Sequence, residues 1–139
     1  MENEEHKITH AVREAVVKAA EKGEDLEAKV AEITRESVKK TLATTEHTSE
    51  NVAEVAWHTM KGFIKGAQEA EVKTEFLTLD AANGIFEGTK QAGAKAEHCA
   101  EAVVEAAMEA GDKAAEMAKH AAKGITDEVK GVLGKKENK

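Results

Sequence analysis

Apolar and small positions recur along this chain at spacings of three and four residues. Ile8, Val12, Ala15, Val16 and Ala19 mark one stripe of a first amphipathic helix that begins near Asn3. Gly23 stops it, because glycine takes the left-handed conformation of a helix end at little cost. Leu26, Val30, Ile33, Ser37, Val38 and Leu42 form a second stripe, which fades into the polar run TTEHTSEN from Thr44 to Asn51. Thr48 or Ser49 offers the side-chain oxygen that caps a third helix. Its stripe of Val52, Ala56, Met60, Phe63, Ala67 and Ala70 resumes slightly off phase through Val72, Phe76, Leu79 and Phe86. A kink or turn therefore belongs at the phase slip or at Asn83–Gly84, and the Asn-Gly pair is the stronger turn signal. Beyond it, Ala92, Ala96, Cys99, Val103, Ala107 and their successors to Val132 keep close to a helical period, and Gly124 with Thr126 separates a short last helix. The pattern predicts helices over 3–22, 25–44, 49–82, 86–123 and 127–133 in one domain spanning 1–134, with a disordered basic tail at 135–139.

A repeat is superimposed on this periodicity. GFIKGAQEA, Gly62 to Ala70, returns 22 residues later as GIFEGTKQA, Gly84 to Ala92, and again as AAMEAGDKA, Ala106 to Ala114. The same offset relates REAVVK at Arg13 to RESVKK at Arg35. Twenty-two residues are two units of 11, and 11 residues make three turns, so equivalent positions return to nearly the same helix face. Gly62 with Gly66, Gly84 with Gly88, and Ala106 with Ala110 each remove bulk from one spot where another helix backbone can approach. Phe63/Ile64 and Ile85/Phe86 flank the first two spots. Trp57, Phe63, Phe76 and Phe86 are all the aromatic residues of the chain, so this stretch is the candidate interaction surface: Trp57, Gly62, Phe63, Gly66, Phe76, Gly84, Phe86 and Gly88.

Composition agrees with helices and thins the core. The 139 residues include 26 alanines and no proline, so nothing forces a helix to break. Leu, Ile, Val and Phe number only 25, which leaves a small apolar reserve against the entropy of ordering the chain. Assembly with a second copy is one way to enlarge it. The fold class expected is all-α: an elongated antiparallel bundle of three to five Ala-rich amphipathic helices with an 11/22-residue rhythm. Apolar runs of about three residues, such as AVV from Ala102, are too short for a membrane span or a signal-peptide core. A cytoplasmic location is therefore expected. The net charge of −7 argues against nucleic-acid binding, which needs a basic face.

Candidate chemistry is sparse, and no enzyme, metal or cofactor is expected. His6 and His10 lie at i, i+4 and could share an ion, but two ligands do not complete a site. The Glu-x-x-His signature of di-iron bundles is missing, since Asn3, Lys7, Thr44, Val55, Lys95 and Met117 stand three residues before the histidines. His98 beside Cys99 resembles a base with its nucleophile, yet adjacent residues on a helix diverge and do not face each other. The single cysteine is expected to pack as a small apolar residue, and no phosphate-cradling glycine loop occurs.

The stretch KTEFLTLDAANGIFEGTKQAGAKAEHCAEA, Lys73 to Ala102, together with the Ala-rich periodicity, resembles the bacterial phasins. The resemblance implies a small helical protein that coats polyhydroxyalkanoate granules and oligomerises through coiled-coil-like segments. The 11-residue rhythm is also similar to that of late embryogenesis abundant proteins, which implies stress protection. The function expected is non-enzymatic: self-association, or coverage of an apolar granule or lipid surface, with stress protection or a helical adaptor role as alternatives.

Overall fold

The computed structural model describes the backbone of residues 2–137 and the side chains of residues 7–125. Within them the chain is all-helical. It forms α1 (Glu2–Glu21), α2 (Leu26–Leu42), α3 (Ser49–Glu69), α4 (Thr74–Gln91), α5 (Ala100–Met108) and α6 (Asp112–Glu137), with one 3-10 turn at Ala96–His98 before α5. Six helices replace the three to five expected.

Local chemistry explains where α1 ends and where α3 begins and ends. Gly23 sits at φ +69°, and the Glu24 N–H returns to the Ala19 carbonyl at 3.1 Å, which satisfies a carbonyl left over at the end of α1. Thr48 caps α3, its side chain accepting from the Asn51 N–H at 3.1 Å. α3 then ends at the phase slip and not at Asn83–Gly84. Glu71 takes φ 57°, the same left-handed turn that Gly93 makes at φ 88°, 22 residues further on. The Val72 N–H closes onto the Ala67 carbonyl at 3.0 Å, just as Ala94 does onto Thr89. Asn83 and Gly84 lie inside α4, so the helices expected over 49–82 and 86–123 are each divided differently. The second is interrupted again at Gly93–Cys99 and at Glu109–Gly111, where Gly111 has φ 114°. The third copy of the repeat is cut by that last turn, with Ala106 in α5 and Ala114 in α6. α6 runs through Gly124, so no separate helix over 127–133 forms, and it passes the expected tail boundary at 134. Residues 138–139 of that tail lie outside the described residues.

Packing follows a rule that skips one helix. α1 lies mainly on α3 and α2 mainly on α4; α3 with α5 and α4 with α6 continue the pattern. Gly62 faces Thr9 and Gly66 faces Arg13, so α1 and α3 run parallel; Gly84 faces Ala31 and Gly88 faces Arg35, so α2 and α4 do too. Short connections reverse the chain between neighbours, which sorts odd and even helices into two layers with the core between them. That core holds Val12, Val16, Val30, Val38, Leu42, Val52, Met60, Phe63, Ile85, Phe86 and Val103, completed by buried alanines.

Candidate interaction surfaces

Each glycine of the repeat marks a backbone seat. A Cβ at Gly62 would stand 2.6 Å from the Thr9 carbonyl oxygen and 2.9 Å from the Val12 Cβ; at Gly66, 2.8 Å from the Arg13 oxygen and 2.9 Å from the Val16 Cβ. Across α2 and α4 the same arrangement recurs. A Cβ at Gly84 would meet the Ala31 oxygen at 2.5 Å and collide with the Thr34 hydroxyl, and one at Gly88 would meet the Arg35 oxygen at 2.5 Å. The pairs Thr9/Gly62 and Arg13/Gly66 become Ala31/Gly84 and Arg35/Gly88 when 22 is added to both sides. The repeat thus encodes contacts within one chain, through which the helices approach until backbone meets side-chain-free backbone.

The aromatic residues do not share one surface. Phe63 and Phe86 are in the core, Trp57 is half-buried with the Lys61 ammonium 5.9 Å from its ring centroid, and Phe76 is 63% exposed. Of the eight candidate interaction residues, Phe76 alone is exposed, while Gly62, Gly66, Gly84 and Gly88 are buried between helices. Among the described residues, the other large apolar side chain in the open is Met108, at the end of α5.

What periodicity missed is a groove between α1 and α2, on the side away from α3 and α4. Its volume is about 510 Å³, and Ile8, Ala11, Val12, Ala15, Ile33, Ser37 and Thr41 line it, with Lys7, Glu36 and Lys40 at its rim. The signal was present in the first two stripes, which carry more half-buried apolar positions than one partner layer covers.

The polar interior is built from threonines tied back to their own helices. Thr34 donates to the Val30 carbonyl at 2.9 Å, Thr78 to Thr74 at 2.8 Å and Thr89 to Ile85 at 2.7 Å. The Thr59 hydroxyl is buried without a partner. Cys99 is fully buried, donates to the Ala96 carbonyl at 2.9 Å and lies 3.7 Å from the Thr89 hydroxyl. Burial pushes its thiol up to about 11, so it stays protonated at neutral pH and is a poor nucleophile. His10 accepts from Arg13 at 2.8 Å and lies 3.0 Å from a Glu14 carboxylate oxygen, whereas the His6 side chain lies outside the described residues. Among the described residues, no group of three His, Cys, Asp or Glu side chains is placed to hold a metal ion.

Asp80, on α4, carries a perturbed carboxyl. Its pKa is raised, first by partial burial and then by the negative charges of Glu27 and Asp25. A raised folded-state pKa means that the charged form costs stability above that pKa, and that the cost disappears as pH falls through it. Asp80→Asn should therefore be more resistant to urea than the parent chain at neutral pH, with the gap closing as pH falls through the raised value toward the ordinary carboxylate range. An equal gap at every pH would assign the gain to something other than charge.

No helix in the described residues is long and apolar enough to cross a membrane. Comparison with protein-family models, curated proteins and solved structures finds no match.

Proposed function

We propose that this chain is a non-enzymatic helical interaction protein, acting in the cytoplasm by self-association or by covering an apolar surface, in the manner its phasin resemblance implies. The observation that carries the reading is the α1–α2 groove: an apolar channel with small side chains on its floor, on the outside of a two-layer stack. A groove of that make-up buries apolar surface against whatever fills it, at about 25 cal/mol per Å². Exposed Phe76 adds a second point of apolar contact, at the start of α4. The 11/22-residue rhythm belongs to this proposal as the device that lets thin helices stack closely, leaving the first pair's outer face for a partner. No nucleic acid is expected among the partners, since the net charge is −7.

Adsorption to polyester beads or oil droplets tests the reading, together with sedimentation of the free protein. Contact driven by apolar burial should survive high salt, because only charge attraction between exposed groups is screened away. A protein that neither adsorbs at any salt concentration nor self-associates would end the proposal.

A further inference from the structure

We infer that the occupant of the α1–α2 groove is a second copy of this chain, lying antiparallel across it about a two-fold axis. The inference rests on the interaction reading above and names its partner. One face of the α1–α2 pair is already covered by α3 and α4, through the glycine seats at Thr9, Arg13, Ala31 and Arg35. The opposite face presents half-buried Ile8 and Ile33 beside the small side chains Ala11, Ala15 and Ser37. It therefore offers both protrusions and hollows, which a symmetric contact requires because the same patch must serve both partners.

Charge supplies the direction. α1 begins where α2 ends, so Lys7 and Lys40 stand together at one end of the groove, and Glu36 stands one turn inward along α2. Turning one copy by half a revolution about a point near Ser37 brings each Lys40 over the Glu36 of the other copy. A parallel arrangement sets like charges against each other. Among the described residues Glu36 has loose partners on its own helix, Arg35 at 3.8 Å and Lys39 at 4.0 Å, which leaves it open to another cation. Two copies each carrying −7 repel at long range, and a partner surface with matched charges relieves that repulsion where they touch.

Sedimentation of the full chain through the micromolar range, with circular dichroism on the same samples, tests this. The wild-type chain should be a dimer. Ala11→Arg, at an exposed position that closes the groove, should keep its helix and sediment as a monomer. Lys40→Glu and Glu36→Lys should each weaken dimerisation about tenfold or more, and the double exchange should restore it. A dimer that persists in Ala11→Arg overturns the groove as its contact. Failure of the double exchange to rescue overturns the antiparallel register. A wild-type monomer that nevertheless adsorbs to beads removes the second copy as occupant while leaving the interaction reading standing; a monomer that does not adsorb removes both.

Discussion

Replacing Gly88 by alanine is expected to destabilise the fold, although alanine is the better helix former by about 1 kcal/mol. All three atoms nearest to the new methyl belong to the Arg35 backbone, at 2.5 to 3.2 Å, so no side chain can swing aside to admit it. α2 and α4 would have to separate along their length. Overpacking of this kind costs typically 1–3 kcal/mol and occasionally more, and a net loss of about 2 kcal/mol corresponds to a melting point lower by roughly 5–10 °C in a chain of this size. Leucine at Gly88 should prevent folding. Gly124→Ala is the control. That glycine is helical with nothing within 4 Å of its new Cβ, so the same substitution should raise the melting point by a few degrees. A Gly88→Ala variant that also gains stability would show that the helices do not approach as closely as the seat requires.

The second large effect is expected from Phe63→Glu combined with Phe86→Glu. Both rings lie in the core, at 0% and 2% exposure, and each substitution removes the apolar body and buries a carboxylate without a partner. Loss of a buried Phe side chain alone costs about 3–5 kcal/mol, and total stabilities of single domains are about 5–15 kcal/mol. The double variant should lose most of its helical circular dichroism. Phe76→Glu, by contrast, changes a ring already 63% exposed and should leave the spectrum intact. A double variant that keeps its helix but loses bead adsorption would instead place Phe63 and Phe86 on the working surface of the protein.

These outcomes separate what could be read from the residues from what could not. The glycine seats were legible because size alone specifies them: two small residues one turn apart leave a hollow whatever the partner, and the 22-residue offset repeated that hollow in register. Gly23 and Thr48 were legible for a similar reason, each having one strong local role. The turn after α3 was legible only as one of two places: the phase slip marked it, but its left-handed residue is Glu71, which carries no punctuation signal, while Asn83–Gly84 carries a strong one and is helical. Close packing overrides turn preference there: the Ala31 and Arg35 backbones need glycine at Gly84 and Gly88, and a turn at that point would remove the seat. The aromatic residues misled for another reason. α3 and α4 are inner helices with neighbours on several sides, so a position on the stripe can be fully covered, like Phe63, or open, like Phe76, without any change in spacing. The groove between α1 and α2 depends on which helices sit together, and a pattern along one chain does not carry that information.

The helix-skipping order of contacts has a consequence for how the chain is made. As it leaves the ribosome, α1 and α2 emerge as a hairpin whose main partners, α3 and α4, do not yet exist. The close seats of α1 wait for Gly62 and Gly66, and those of α2 for Gly84 and Gly88, so each contact closes a loop of 53 residues. Loops of that length carry an entropy cost that neighbouring-helix contacts avoid, and they slow folding relative to an ordinary up-and-down bundle. Until about two thirds of the chain has been synthesised, the first hairpin therefore shows apolar surface on both sides. A fragment ending before Gly62 should therefore leave α1 and α2 open to protease, whereas one extending well past Gly88 should protect them.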